Sequence, residues 1–186
     1  IKASQKSVGL KGAGTKAEKA LSTTFKVTAF REGKEKTAEF SRGELLKEHK
    51  ESKTTESNGT LVHFTPDESI FKNYHFVQEY LDNQFWNYCY LNAGLIMNLN
   101  GKKYVSKNGL LDLLQRKTNE DELRYPIIHL KGNDIEVALS HENTYGEEYY
   151  SFVNGQFTTQ GGTHLAAFRE GYTKTIREFF KKDYDA

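Results

Sequence analysis

The sequence predicts an α+β protein built in two parts. Apolar and polar residues alternate over 25–30 and 35–40 on either side of Arg31-Glu32-Gly33-Lys34, a pattern typical of a β-hairpin. Apolar residues recur at helical spacing near the end of the chain, which predicts a last helix over about 163–182. A short strand over 61–64 stops at Pro66, so we expect a boundary near 66–74. The two predicted domains are residues 1–70 and 71–186.

The first part opens with the loop Gly9-Leu10-Lys11-Gly12-Ala13-Gly14, followed by a run of strong helix formers. Thr15 is the expected N-cap of that helix, because Glu18 stands three residues later as in a capping box. The polar and charged stretch 47–58 is expected to be a loop or an edge strand. If residues 1–70 form only part of a larger sheet, one edge of that sheet is exposed. We therefore expect residues 1–70 to pack poorly or to pair with another copy of the chain.

The second part begins with apolar residues at helical spacing over 76–88. Asn100-Gly101, a favoured turn pair, separates two strands over 95–100 and 103–105. A short helix over 109–114 follows. Further strands are then expected at 127–130, 135–140 and 149–154.

Composition narrows the possible functions. The chain has 26 basic and 25 acidic residues among 186, so its net charge alone gives no argument for nucleic-acid binding. Its one cysteine, Cys89, excludes a disulfide framework, fits a reducing cytoplasm and is expected to be a small core residue. The sequence contains no run of eighteen apolar residues, so it predicts no membrane-spanning helix. Its first residues include neither a starting Met nor the pattern of a signal peptide. We therefore expect a piece of a longer protein.

The three early glycines predict an anion site. Glycine lets the backbone approach a ligand, and amide groups just before a helix lie at the positive end of its dipole. The spacing matches neither a Walker A loop nor a Rossmann fingerprint, because no Gly-Lys-Ser/Thr follows and no apolar strand precedes it. A flexible turn without a ligand remains the alternative interpretation of this loop taken alone.

Several ordered motifs carry a family resemblance. Gly9 to Gly14, followed by Ala20-Leu21-Ser22, resembles the ATP-lid motif of the ATPase subunit of bacterial type IIA DNA topoisomerases. The segment 58–67, with Gly59-Thr60 and Pro66-Asp67, resembles the strand that closes their GHKL-type ATPase domain. Segments 91–95, 151–154 and 161–164 resemble signatures of the transducer domain that follows it. The chain is more similar to the ATPase subunit of topoisomerase IV of the Bacteroidetes type than to that of gyrase.

The resemblance implies a nucleotide site but no complete active site. It assigns cofactor binding to Gly9, Leu10, Lys11, Gly12, Ala13, Gly14, Thr15 and Thr60, with Thr60 on the adenine side. In the family the catalytic glutamate and the magnesium-binding asparagine precede the lid, and a phosphate-binding lysine follows the last helix. We therefore expect no catalytic residue, no metal ligand and no ATP hydrolysis in these 186 residues alone.

The resemblance also implies cofactors, partners and a fold. ATP and Mg serve the complete ATPase subunit, whereas this chain alone is expected to bind neither, since Lys11, Ala13, Glu18 and Lys19 depart from the family pattern. The implied partners are DNA, the DNA-cleaving A subunit of the same topoisomerase and a second copy of the ATPase subunit, in the cytoplasm at the chromosome. The implied fold is a partial mixed sheet with the lid, then a transducer incomplete at its C-terminus. That transducer would have a four-stranded sheet, helices on one face and a left-handed βαβ crossover.

Four residues of the last helix are candidates for facing DNA: His164, Arg169, Lys174 and Arg177. Phosphate contact needs only loosely placed cations. Each also has a structural interpretation, because charges on a helix usually form its solvated face, and Gly161-Gly162-Thr163 suits a helix start. Two alternative functions stay open: another GHKL-type ATPase such as a MutL-like protein, or a non-enzymatic binding domain.

Overall fold

The structure is a computed structural model that describes residues 13–184, with side chains described through Lys181. The chain divides into two compact units between Phe76 and Val77, a few residues beyond the predicted boundary. The first unit contains α1 (Ala13–Ala20), β1 (Ser22–Arg31), β2 (Lys34–Ser41), β3 (Glu44–Glu48), β4 (Ser52–Lys53) and β5 (Gly59–Pro66).

The first unit is an antiparallel sheet with strand order β3-β2-β1-β5, and β4 also pairs with β2. The predicted hairpin is confirmed, and its turn is only two residues long. Glu32 and Gly33 have φ angles of 53° and 74°, the left-handed conformation that suits the twist of a tight hairpin. The expectation of a mixed sheet was wrong for the described residues, because every pair of strands in this sheet is antiparallel.

Helix α1 begins at Ala13, so Thr15 lies inside the helix and the expected N-cap at Thr15 was wrong. Ala13 is a strong helix former, and the helical conformation is already present two residues before the position that the capping pattern indicated. The C-terminal end of α1 is fixed by hydrogen bonds to the sheet. Ser22 Oγ donates to the Glu18 carbonyl oxygen over 2.6 Å.

One face of the sheet holds the core of the first unit. Phe25, 2% exposed, lies opposite both Phe40 and Phe64 in the strand register. The Phe25 and Phe40 rings meet edge to face with centroids 6.2 Å apart. Lys19 of α1 lies 4.6 Å above the Phe40 ring, which shows that α1 packs on this same face.

The two edges of this sheet differ in charge. The β3 and β4 side carries many ionic side chains, with Lys36 bonded to Glu48 over 2.5 Å and Lys34 to Glu51 over 2.7 Å. Strand β5 has no Lys, Arg, Asp or Glu, and its side chains are mostly exposed. Charges protect an edge from pairing with another strand, so within this described sheet the β5 edge is the less protected one.

A buried carboxylate closes the first unit just after β5. The Asp67 side chain is 3% exposed and accepts a 2.5 Å hydrogen bond from Arg42 Nε. Its other oxygen accepts from the amide and hydroxyl of Ser69 over 2.9 and 2.7 Å. The Asp67 amide donates to the Leu21 carbonyl over 2.9 Å, and the Asp67 carbonyl accepts from the Phe71 amide. The side chain and backbone of Asp67 together therefore join the β2–β3 turn, the residue before β1 and the turn that leaves β5.

The second unit contains α2 (Gln78–Leu91), β6 (Ile96–Leu99), β7 (Lys102–Val105), α3 (Leu110–Lys117), a 3₁₀ turn (Glu120–Glu122), β8 (Ile128–Lys131), β9 (Glu136–Leu139), β10 (Phe152–Val153), β11 (Gln156–Phe157) and α4 (Thr163–Tyr184). The Asn100-Gly101 hairpin is confirmed, with φ angles of 50° and 83° at its two turn residues. The last helix is confirmed from Thr163 onward.

An aromatic cluster forms the core of the second unit. Tyr104 is fully buried between Phe85 and Trp86, with ring centroids 5.4 and 5.3 Å away. The Tyr104 hydroxyl donates to Asp82, so the buried phenol is not left without a partner. Cys89 is fully buried beside this cluster and is a core residue, as predicted.

The expected four-stranded transducer sheet and its βαβ crossover were wrong for the described residues. Residues 77–184 contain three separate two-stranded antiparallel ladders, each joining consecutive strands. The strands are only two to four residues long. Helix α2 packs on β6 and β7 and α3 on β8 and β9, so these ladders gain their contacts from a helix rather than from the next ladder.

The apolar face of α4 is largely open to solvent. Tyr172, Ile176, Phe179 and Phe180 are between 42% and 69% exposed. The sequence pattern predicted this face, but no helix or strand within residues 13–184 covers it extensively. Across the same range, no helix combines the length and apolar character that crossing a membrane requires.

We expect Asp67→Asn to lower the melting temperature of the chain at neutral pH, because the charged partner of Arg42 is lost. The Arg42 hydrogen bond, with help from Ser69, holds the pKa of the Asp67 carboxyl well below its usual range. That contribution is present above the unfolded-state pKa of about 4 and is lost as pH falls through the lower folded-state pKa. Thermal denaturation from pH 7 downward should show the difference between wild type and variant shrinking below about pH 4.

The control for this experiment is Glu68→Gln, which removes an exposed carboxylate next to Asp67. It should leave the melting temperature nearly unchanged at neutral pH. An Asp67→Asn deficit that stays the same size from neutral pH down to strongly acidic pH would contradict the charged hydrogen bond as its source.

Candidate nucleotide and DNA-facing sites

Three of the predicted lid residues lie at the start of α1. Gly9, Leu10, Lys11 and Gly12 fall outside the described residues, whereas Ala13, Gly14 and Thr15 form the first turn of the helix. All three are exposed, and an added Cβ at Gly14 would meet no atom within 4 Å. The first turn of α1, whose amides lack partners within the helix, is therefore open on its outer side.

The sheet register places Thr60 on the face that α1 covers. Thr60 lies opposite Ala29, and Phe64 lies opposite Phe25. Side chains two or four residues apart on a strand point to the same face, so Thr60 shares a face with Phe64 and Phe25. Thr60 is exposed. The structure therefore brings the helix of the lid motif and the predicted adenine-side threonine to one side of the sheet.

The two unusual charges in α1 are accommodated without burial of an unpaired ion. Glu18 is exposed, and the Lys19 ammonium lies over the Phe40 ring. A charge at a position that is usually apolar is costly only when it is buried without a partner. Glu18 and Lys19 are thus compatible with α1 lying against the sheet.

The four DNA-facing candidates lie on α4 and differ in their partners. Arg169 Nη2 lies 3.1 Å from Glu147 Oε2, and the guanidinium lies 5.0 Å from the centre of the Tyr149 ring. Lys174 Nζ lies 3.9 Å from Glu178 one turn along the same helix. Arg177 makes no salt bridge with any side chain in the described part of the chain. The helix therefore offers cations, two of which are already paired.

His164 is engaged at the start of α4. Its Nε2 forms a short hydrogen bond with Ser151 Oγ and lies 3.4 Å from Thr158 Oγ1. Thr158 Oγ1 also lies 2.8 Å from Ser151 Oγ, so each of the three polar side chains contacts the other two. Gly162 has a φ of 142°, and a Cβ there would come within 3.0 Å of the imidazole. Glycine at this position is what lets the ring reach Ser151.

Sequence reasoning found His164 but missed its partners. Ser151 belongs to the recognised segment 151–154, yet nothing in its spacing links it to a histidine thirteen residues later. Over residues 13–184, no group of three or more His, Cys, Asp or Glu side chains is arranged to hold a metal ion.

We expect Ser151→Ala and His164→Ala each to lower the melting temperature, and the two together to cost less than the sum. A part-buried hydroxyl–imidazole bond couples its partners by about 1 kcal/mol. The double-mutant cycle is measured by chemical denaturation, with the exposed Thr159→Ala as the control. Additive losses would show that the two side chains stabilise the fold independently.

Comparisons with known proteins agree with the motifs. The DNA gyrase B family model matches residues 95–185. The chain is 47% identical to the B subunit of DNA topoisomerase 4 from Borreliella burgdorferi over 182 residues, which cover 98% of the chain and 30% of that protein. Identity to the B subunit of DNA gyrase from Helicobacter pylori strain J99 is 34%, over 92% of the chain and 24% of that protein. The chain thus spans about a third of these relatives or less.

A solved structure also matches. The ATPase domain of Thermus thermophilus gyrase B, a 43K domain in complex with an aminocoumarin, superposes with a TM-score of 0.74 at 28% identity. The match covers 93% of this chain and 51% of that one. As predicted, identity is higher to the topoisomerase IV sequence than to the gyrase sequence. The chain belongs to the family of B subunits, the ATPase subunits, of bacterial type IIA DNA topoisomerases.

Proposed function

We propose that this chain supplies the ATP-lid and relay segments of a protein that couples ATP hydrolysis to DNA strand passage, decatenation and supercoil relaxation. The observation that carries this proposal is the position of Thr60 on the sheet face covered by α1. Helix α1 and Thr60 are far apart in sequence, yet both lie on one side of one sheet.

At the nucleotide end, the backbone amides of the glycine loop would donate to the terminal phosphates of ATP. Residues Gly9 to Thr15 contribute this cradle, the start of α1 contributes its positive dipole, and Lys11 adds a charge. Thr60 would contact the adenine side through its hydroxyl. ATP and Mg belong to the complete protein, and the 186 residues alone are proposed neither to retain nor to hydrolyse ATP, because phosphoryl transfer needs further charged groups.

At the DNA end, α4 would approach the phosphate backbone with Arg169, Lys174 and Arg177. Such contacts add affinity without selecting a sequence, which suits an enzyme that acts on DNA of any sequence. His164 would then fix the start of this helix rather than contact DNA itself, since Ser151 already occupies its Nε2.

The proposed mechanism links the two ends. Contacts to the terminal phosphate order the lid, two copies of the ATPase protein close, and the DNA-cleaving A subunit opens one duplex for another to pass. Release of phosphate removes those contacts and lets the arrangement relax. This activity would take place in the cytoplasm, on the chromosome.

We expect Thr60→Val in the complete ATPase protein, assayed with the DNA-cleaving partner and DNA, to raise the KM for ATP about two- to tenfold, the usual cost of one hydrogen bond. Maximal decatenation at saturating ATP should change little. The matched control is Thr65→Val, the same replacement on the opposite face of β5. Equal effects of the two substitutions would contradict a nucleotide contact at Thr60.

We expect Arg177→Gln to weaken binding of the chain to duplex DNA and to reduce the slope of log K against log salt by about 0.9, the value for one lost phosphate contact. Fluorescence anisotropy across a salt series measures both quantities. Arg124→Gln removes the same charge from outside α4, where Arg124 bonds to Asn143 over 2.8 Å, and serves as the control. Equal slopes for Arg177→Gln and wild type would remove Arg177 from the DNA-facing surface.

A further inference from the structure

Arg169 of α4 forms an ion pair with a residue outside its own helix. Glu147 belongs to the segment before β10, whereas Lys174 pairs with Glu178 of its own helix. The Arg169–Glu147 contact therefore joins two segments that are 22 residues apart in sequence.

Two donors meet at one carboxylate oxygen of Glu147. Glu147 Oε2 accepts a 2.6 Å hydrogen bond from the Tyr149 hydroxyl and a 3.1 Å hydrogen bond from Arg169 Nη2. The Arg169 guanidinium also lies 5.0 Å from the centre of the Tyr149 ring. Hydrogen bonding to the carboxylate raises the pKa of the Tyr149 phenol, so the hydroxyl stays a donor at neutral pH. The guanidinium is thus held by a carboxylate and an aromatic face together.

This cluster is exposed enough to exchange partners. The Arg169 and Glu147 side chains are 55% and 65% exposed. Ion pairs between exposed side chains are weak, and a phosphate oxygen can accept a hydrogen bond from a guanidinium as a carboxylate oxygen does. A phosphate approaching α4 would therefore compete with Glu147 for Arg169 Nη2.

We propose that Glu147 is a positioning residue that holds Arg169 over Tyr149 and competes with DNA phosphate for it. The inference rests on the proposed DNA-facing role of α4. It adds that Glu147, an acidic residue outside the helix, weakens the binding of DNA by α4. In the unbound state Glu147 fixes the direction of the guanidinium and lowers the local positive charge. When DNA binds, Arg169 exchanges the carboxylate for a phosphate, and Glu147 keeps its bond to the Tyr149 hydroxyl.

The neighbouring Glu148 provides a matched control. Its Oε2 accepts from the Tyr150 hydroxyl over 2.8 Å, as Glu147 does from Tyr149, and both acceptors lie two residues before their tyrosine. Among the salt bridges of the described side chains, Glu148 pairs with no arginine or lysine. Replacing either glutamate by glutamine removes one negative charge from the same segment of the chain, but only Glu147→Gln removes the ion pair with Arg169.

The test measures duplex DNA binding of the 186-residue chain by fluorescence anisotropy over a salt series. We expect Glu147→Gln to tighten binding at low salt about two- to fivefold, the equivalent of a surface ion pair. Its slope of log K against log salt should stay near the wild-type value, because Arg169 contacts a phosphate in both complexes. Glu148→Gln should tighten binding less than Glu147→Gln does, because it leaves the ion pair between Glu147 and Arg169 intact. Adding Arg169→Gln to Glu147→Gln should abolish the gain.

The outcomes separate the inference from the proposed function. Equal affinities of Glu147→Gln and Glu148→Gln for duplex DNA, or weaker binding by Glu147→Gln, overturn the competition at Arg169 and leave DNA binding by α4 standing. Absence of duplex binding by wild type and by every variant overturns both. Far-UV circular dichroism verifies that each variant is folded, and a merely structural role of Glu147 would change stability without tightening DNA binding.

Discussion

The first unit depends on keeping one carboxylate charged and out of water. Burial of Asp67 alone would be costly, so the fold must bring donors to both of its oxygens. Arg42 reaches it from a turn whose φ of 47° is unusual for a residue with a side chain, and the Arg42 amide bonds to the Ser22 carbonyl in the same turn. The strands, α1 and the exit from β5 therefore share one point of attachment.

The second unit is stabilised mainly by aromatic packing, whereas the first depends on the buried charge of Asp67. Tyr104, Phe85 and Trp86 fill its centre, and Arg116 lies 4.5 Å from the Trp86 ring. Helix α4 stands apart from that centre, with an exposed apolar face and a charged face. A helix with few packing contacts can present cations without disturbing the core, which suits the DNA-facing role proposed for it.

Local chemistry was predictable from the sequence, and distant pairing was not. The turns at Glu32-Gly33 and Asn100-Gly101 and the period of α4 depend on residues close in the chain. The start of α1 was missed because a capping pattern at Thr15 lost to continued helix propensity. The transducer ladders were missed because the arrangement of strands in a sheet depends on contacts far apart in sequence.

The same distinction applies to the sites. Motif order predicted the lid and Thr60, and charged residues predicted the cations of α4, but nothing in the sequence links Glu147 to its partner Arg169. Likewise, His164 was recognised from Gly161-Gly162-Thr163, whereas Ser151 and Thr158 became its partners only through folding. A side chain's partner across a turn or ladder leaves no periodic signal in the sequence.

The burial of Cys89 has a practical consequence. It is the only cysteine of the chain, it is fully enclosed, and burial raises the pKa of its thiol. Since maleimides and spin labels react with an accessible thiolate, the native sulfur should remain unmodified in the folded protein. A cysteine introduced at any surface position would then be the single labelling site. Movements of α1 or α4 could be followed by spectroscopy without first removing a native residue.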